Sequence, residues 1–284
     1  MDRPLRVSGL GVYPVKSLRG LSVPRAHLER WGFRGDRRWM VVDARGRFVT
    51  QRTTPRMSLV RGRLLDDGRA EISHPDVGPV VLEPSGEPVS VRIWQDVVEA
   101  EGGDPDADAW LSALLGRTVR LVHLADPSTA REIDRDYAGP GEPVTFADGF
   151  PLLVTTTASL AALNTWQQAA GARAMTMARF RPSLVVDTDE AWAEDRWAVL
   201  RVGDVELRLV KPCARCVMTA VEPGSGVILP GGPLRQLGAH RPGVSFGINA
   251  IPATTGTLHL GDAVEVLATH EGLPDVGVHP AVTP

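Results

Sequence analysis

Lysine and cysteine are scarce in this chain, with two of each among 284 residues. Two cysteines cannot build a disulfide scaffold, which excludes the small stapled secreted folds and leads us to expect a cytoplasmic protein. Excess positive charge is missing too: 31 basic residues face 34 acidic ones, for a formal net charge of −3. General binding to nucleic acid, which needs many cations against the phosphate backbone, is therefore not expected. No apolar run approaches the roughly 20 residues that span a bilayer, so no membrane partner is expected. Met1 to Leu10 lack the apolar core of a secretory signal. Also absent are the Gly-x-Gly-x-x-Gly turn into a helix, the Gly-x-x-x-x-Gly-Lys-Ser/Thr loop and the Gly-x-Ser-x-Gly elbow. The usual marks of dinucleotide binding, nucleotide hydrolysis and serine-hydrolase chemistry go with them.

What remains is the composition of a folded globular protein, 43% hydrophobic and 23% charged. At about 100–200 residues per domain, the length suits two domains or one large one. Most of the first 125 residues read as short strands. Arg37 to Asp43 and Arg47 to Arg52 flank Ala44-Arg45-Gly46 as a hairpin, and Leu59 to Leu65 and Arg69 to Ser73 flank Asp66-Asp67-Gly68 as another. Val89 to Trp94, Val97 to Glu101 and Val119 to Leu124 follow as strands. Between the last two lies a helix from about Asp106 to Leu115, with Asp at its start and Gly116 as its stop.

A polar loop from Asp126 to Glu142 marks a soft boundary. Beyond it, Pro151 to Thr156 reads as a buried strand and Ala158 to Ala170 as a helix that ends at Gly171. Ser183 to Asp187, Val205 to Val210, Cys216 to Val221, Ser245 to Ile251, Thr257 to Leu260 and Ala263 to Leu267 read as further strands. Many short strands with few helices predict a mainly β protein (α+β) with peripheral helices, built on closed or nearly closed β-barrels. A doubly wound parallel sheet is disfavoured, because regular strand–helix alternation is missing.

The chemistry gathers at a few places. Both cysteines lie in Lys211-Pro212-Cys213-Ala214-Arg215-Cys216, and the other lysine stands in Val12-Tyr13-Pro14-Val15-Lys16-Ser17. Cys-x-x-Cys admits a zinc site, but no second ligand pair stands at the usual spacing. It admits a redox pair, but no helix is expected to follow it. It also admits two buried structural cysteines. On an extended segment, residues three apart face opposite sides, so one cysteine could face a cavity while the other packs in the core. Lys211 and Arg215 near Cys216 would favour its thiolate. Arg179 and Arg181, at alternate positions, would share one face of an extended chain and suit a phosphate or carboxylate. Lys16 and Ser17 offer an ammonium and a hydroxyl at a strand end. Glu194 and Asp195 read as a solvated pair. Together these residues describe an anion site beside a reactive cysteine.

In chain order, these motifs resemble those of the MOSC-domain family, named for the C-terminal part of molybdenum-cofactor sulfurase. The likeness is to the arrangement with an N-terminal MOSC-associated β-barrel domain, and in particular to the amidoxime-reducing branch. Val12 to Ser17 is similar to the family's opening motif; Gly35 to Asp43 and Thr50-Gln51-Arg52 are similar to its first hairpin. Phe146 to Pro151, Thr155 to Leu160, Arg179-Phe180-Arg181-Pro182, Ala193-Glu194-Asp195, Lys211 to Cys216, Phe246-Gly247 and Gly261-Asp262 complete the series.

The resemblance implies an N-terminal domain over residues 1–125, a MOSC domain over 126–270 and a tail over 271–284. It implies one molybdenum–pterin cofactor per chain, with Cys216 as metal ligand and catalytic residue. Lys16, Ser17, Arg37 and Arg181 fall where the phosphate and pterin are held. Thr155, Thr156, Thr157, Ala214, Arg215 and Asn249 fall near the pterin. Ser183 stands where the family often has Asn. The implied activity is reduction of N-hydroxylated or other N-oxygenated small molecules. Electrons would come from a separate ferredoxin- or flavin-type donor, since two cysteines cannot hold a plant-type iron–sulfur cluster. An acidic donor would suit the arginines at 34, 38 and 45. The alternatives are a carrier of the cofactor, or of sulfur on Cys216, and a cofactor-free β-barrel binding module.

Overall fold

A computed structural model describes residues 3–270; the expected tail over 271–284 lies outside the described residues. The largest sheet has eight strands. Across it run Val264–Thr269, Trp197–Val202, Val205–Ala214, Ser245–Pro252, Leu152–Thr156, Leu184–Asp187, Arg6–Val12 and Leu21–Ser22. Period-two patterning sets these strands on the core: Val205, Leu207 and Leu209 are buried, while Glu206 and Arg208 between them are half-exposed. Leu152–Thr156 and Leu184–Asp187 pair in parallel, and helix α2 (Thr157–Ala169) lies in the crossover between them. The sheet's other ladders are antiparallel.

The mainly β class with peripheral helices holds, but the sheet is not a closed barrel. Its two sides meet only through the Arg6–Ala263 bridge and bonds such as Val7 N–H to Asp262 C=O at 2.9 Å. Past that bridge, Val264–Thr269 pairs with Trp197–Val202 instead.

Two smaller sheets form the other part of the molecule. One runs Trp39–Val42, Arg120–His123, Asp96–Gly103, Pro84–Ile93; the other runs Arg61–Leu64, Ala70–His74, Gly78–Leu82. Helix α1 (Pro105–Leu115) forms where its caps predict. Asp104 accepts the Asp106 N–H at 2.8 Å, and Gly116 ends the helix with φ 68°. It buries Leu111, Leu114 and Leu115 against Trp39, Ile72 and Leu121, each leucine contributing about 1.5–3 kcal/mol.

Three expectations need correction. Arg47 to Arg52 forms no strand: two isolated bridges, Val42 to Phe48 and Arg47 to Arg92, remain before the chain turns through Thr54 N–H to Thr50 C=O at 2.9 Å. Cys216 to Val221 is not extended. The strand ends at Ala214, and Val217–Ala220 is a single 3-10 turn closed by Thr219 N–H to Cys216 C=O at 3.0 Å. Arg179 lies in another such turn, Met177–Phe180, so the alternate-face argument for Arg179 and Arg181 does not apply. Two elements not among those expected, Trp197–Val202 and α3 (Leu234–His240), are also present.

Strand pairing crosses the division at residue 125. Arg6–Val12 joins the large sheet, and Val7, Leu10 and Val12 share its core with Leu200, Leu207 and Ile248. In return, Phe146 packs with Met40, Val42 and Val122. These two crossings bring Lys16 and Asp148 face to face with the cysteine segment.

Candidate functional site

Where the two parts meet, a cleft of about 200 Å3 opens. The start of the chain supplies Lys16, Ser17 and Arg37 to it, and the segment before Leu184 supplies Arg181 and Ser183. Ala214, Arg215, Cys216 and Asn249 line the opposite side.

Backbone strain concentrates here. Ser17, Arg37 and Arg181 have φ of 63°, 48° and 56°, and they make up half of the six non-glycine residues with positive φ among those described. Such a conformation costs of order 1–3 kcal/mol at each residue and persists only where the surroundings enforce it. Gln51 Nε2 donates to Ser17 C=O at 2.6 Å, and Arg37 N–H donates to Tyr13 C=O at 2.8 Å.

The buried Tyr13 ring is flanked by two guanidinium groups, Arg37 at 4.4 Å and Arg181 at 4.3 Å. Its hydroxyl donates to Pro182 C=O at 3.0 Å. Arg37 is ion-paired with buried Asp36. Arg181 has no such relief: burial and the neighbouring Arg37 push its pKa down to about 10. Lys16 is buried as well. It donates to Phe146 C=O at 2.8 Å and pairs with Asp148, and burial pushes its pKa down to about 8. Partial burial would raise the Asp148 carboxyl, but Lys16 and Arg52 outweigh it and hold the group well below the usual carboxylate range. The site is thus a cluster of cations with one ionised carboxylate, an arrangement that attracts a further anion.

Both cysteines open to this cleft; neither packs in the core. Arg215 Nη1 donates to Cys213 Sγ and its Nη2 to Phe180 C=O, both at 2.8 Å, while its buried Nε has no partner. Cys216 is exposed and receives Arg52 Nε at 3.4 Å. Among the described residues, no group of three or more His, Cys, Asp and Glu is placed to hold a metal ion. A metal at Cys216 would therefore need other ligands from a bound group.

Several expected residues lie elsewhere. Thr155 and Thr156 are fully buried outside the cleft lining; Thr156 caps α2 through Ser159 N–H at 3.2 Å. Thr157 donates to Asp187 at 2.8 Å and lines a different groove. Lys211 sits over the Tyr137 ring at 4.3 Å, not in the cleft. The Ser183 hydroxyl is buried and accepts Leu153 N–H at 3.3 Å, so it acts on the backbone beside the cleft. Arg34 pairs with Glu29, and Arg38 holds the carbonyls of Leu124 and Ala125. Glu194 and Asp195 are not solvated but buried: Thr156 and Ser159 donate to Glu194, and Arg241, which follows α3 (Leu234–His240), pairs with Asp195.

The cleft also contains residues to which the sequence assigned no role, notably Arg52 and Asp148. Both lie inside quoted motifs, Thr50-Gln51-Arg52 and Phe146 to Pro151, and that was their only signal.

A two-part β protein with a cationic cleft and an exposed cysteine at the junction is the class defined so far. Its parts match the MOSC N-terminal beta barrel domain over residues 4–118 and the MOSC domain over residues 141–265. The chain belongs to the MOSC-domain family, and its relatives within it are mitochondrial amidoxime-reducing components. It is 32% identical over 284 residues to component 1 of Homo sapiens, covering 92% of this chain and 82% of that protein. It is 33% identical over 285 residues to component 2 of Rattus norvegicus, covering 91% and 82%. Component 1 of Danio rerio is 30% identical over 276 residues, covering 91% and 83%. Among the described residues, no helix is long and apolar enough to cross a membrane.

Proposed function

We propose that this chain is a cytoplasmic oxidoreductase of the amidoxime-reducing type. It holds one molybdenum–pterin cofactor with Cys216 as the protein's metal ligand, and it reduces N-hydroxylated or other N-oxygenated compounds. The observation that carries this reading is the exposed Cys216 thiol in the same cleft as Lys16, Arg37, Arg181 and Arg215.

The residues fit such a group. A pterin dithiolene brings two sulfurs and a phosphate, so the protein needs one soft thiolate and several cations. The unpaired Nε of Arg215 offers a free donor, and the strained backbones of Ser17, Arg37 and Arg181 are what a preformed anion cradle requires. Lys16, Arg37 and Arg181 would hold the phosphate, and Arg215, Ala214 and Asn249 the pterin. When bound, the group supplies two-electron chemistry at the metal.

The chain's own residues do the rest. Arg52 orients Cys216 and shields one side of the cleft. Asp148 stays ionised and fixes Lys16 and Arg52 by accepting from both. The overall reaction takes up two electrons and two protons, breaks one N–O bond and releases water. The electrons must come from a separate ferredoxin- or flavin-type protein, because two cysteines cannot hold a plant-type cluster and no dinucleotide fingerprint is present.

The test is metal analysis and turnover after expression in a host competent for the pterin cofactor. We expect about one molybdenum per chain, as one ligand cysteine requires, and reduction of an N-hydroxy substrate with an artificial donor. Cofactor that passes to an apo-enzyme without turnover would mark a carrier instead. A chain free of metal under every condition would leave only a binding module.

A further inference from the structure

A second groove, of about 600 Å3, shares Arg179, Arg181 and Met218 with the cysteine cleft but is not lined by Cys216, Lys16 or Arg37. Its volume is in the range of roughly 300–1,000 Å3 that holds small organic ligands. Among the described residues it is lined by four arginines, Arg19, Arg61, Arg179 and Arg181, and by no Asp or Glu.

Arg19 and Arg61 are exposed and paired across a backbone bridge, with Arg19 N–H to Val60 C=O at 2.9 Å and Gly62 N–H to Arg19 C=O at 2.7 Å. Residues paired this way project to the same side, so two guanidinium groups share one rim. Deeper in, Arg179 is buried. Its Nη1 donates to the carbonyls of Thr219 and Val221 at 2.9 and 3.0 Å, and its Nη2 pairs with Glu222, which does not line the groove. Its Nε is buried with no partner, an arrangement that costs about 1–3 kcal/mol unless a ligand or water accepts the hydrogen. The rest of the wall is mixed: Leu160, Val185 and Val221 form an apolar face beside the flexible side chains of Met177 and Met218, and serine, threonine and glutamine side chains add neutral polar groups.

We propose that this groove is a binding site, separate from the cysteine cleft, for an organic anion with an apolar or aromatic body, such as an aryl carboxylate or sulfonate. Arg19 and Arg61 clasp the anionic head, and the face made by Leu160, Met177 and Val221 takes the body. The arginine fork matches a planar or tetrahedral oxyanion, and a lining with arginines but no Asp or Glu rejects a cationic ligand. This site does not depend on the oxidoreductase reading, since none of the groups that define the head and body pockets is assigned to the cofactor.

The test titrates the full chain, both free of cofactor and loaded with it, with anilinonaphthalene sulfonate, followed by fluorescence. One saturable site is expected in both forms, with neutral phenylnaphthylamine weaker by about tenfold or more, as the loss of one charge-assisted contact implies. Arg61→Glu and Arg19→Glu should each weaken the sulfonate by a similar factor. Leu160→Trp should fill the groove and abolish binding. All three variants should keep the wild-type far-UV spectrum and metal content. Equal affinity for the charged and neutral probes, or binding that survives both Arg61→Glu and Leu160→Trp, would overturn the proposal. Binding to the free chain that disappears on loading would overturn it too, by assigning the groove to the cofactor.

Discussion

Arg52 donates its Nε hydrogen to the Sγ of Cys216 across 3.4 Å, although 164 positions separate the two residues. The same guanidinium donates to Asp148 at 3.1 Å and stacks 4.8 Å from the Trp94 ring centroid. One arginine thus ties the first part of the chain, the junction segment and the cysteine together. Replacing it removes one charge-assisted contact, worth about 1.5 kcal/mol or more. Arg52→Ala should therefore lower molybdenum retention roughly tenfold with little change in melting temperature, because the side chain is only half-buried. Retention equal to wild type after extended dialysis would remove Arg52 from the site.

The two cysteines should behave differently even though both line the cleft. Cys216→Ser is expected to lose molybdenum, since a hydroxyl is a harder donor and stays protonated. Cys213, held by Arg215 at 2.8 Å, should tolerate serine with most of the metal kept. Metal analysis of both variants decides this, and equal loss would indicate a site that uses both cysteines.

Lys16→Ala and Arg181→Ala should each lower cofactor occupancy by about ten- to a hundredfold, the equivalent of ~1.5–3 kcal/mol for a charge-assisted contact. Arg181→Gly separates binding from folding. At φ 56° glycine is unstrained, so this variant should lose cofactor equally while unfolding at a temperature no lower than that of Arg181→Ala. A melting point for the glycine variant below that of the alanine variant would show that no backbone strain at this position is relieved by glycine.

Glu194 predicts a pH dependence of stability. Its carboxylate is fully buried, with Thr156 and Ser159 donating to Oε2 at 2.9 and 2.8 Å and Oε1 without a partner. Burial pushes its pKa up from 4.5 to about 7. The folded state therefore favours the protonated acid. Its stabilising effect is fully present below about pH 4.5 and is lost as pH rises to about 7. The size is at most about 3 kcal/mol, taken from the shift itself. Glu194→Gln, which keeps the shape and stays neutral, should flatten the fall in urea stability between those two values. Asp195, also raised by burial, contributes in the same direction and keeps the fall from vanishing. An unchanged slope in the glutamine variant would show that Glu194 does not titrate in this range.

The purified chain should not turn over with NADH or NADPH alone. It should be active with a strong artificial donor or a separate reductase, through a transient and salt-sensitive contact. Steady NADPH-dependent reduction of an N-hydroxy substrate by the single chain would reveal a flavin or nicotinamide site within it.

What was legible in the sequence follows from short-range physics. Asp104, Pro105 and Gly116 bracket α1 because capping and left-handed termination act within one turn. The Arg61–Leu64 and Ala70–His74 hairpin follows from alternation around a glycine turn. The cysteine segment and Lys16-Ser17 stood out by residue type alone, and both reach the cleft. Cys216 to Val221 misled because Val-Met-Thr-Ala-Val is apolar and equally compatible with a strand or a buried 3-10 turn; the hydrogen bond from Thr219 to Cys216 decides between them. Glu194 and Asp195 look solvated in a polar stretch, yet Thr156 and Ser159, 38 and 35 residues earlier, bond Glu194, and Arg241, 46 residues further on, pairs with Asp195.

Residue types, local periodicity and chain-order motifs therefore determined the β class, the family likeness and the segment that carries both cysteines to the cleft. Only the tertiary structure decided which charged groups share the cleft with Cys216. Arg52, Asp148 and Arg181 line it together because Arg6–Val12 inserts into the distant sheet and Phe146 packs back on the first one. Those pairings are chosen by burial of apolar surface, which is non-directional and blind to sequence separation. A pattern that repeats every two or four residues can specify which face is buried, but not which remote segment covers it.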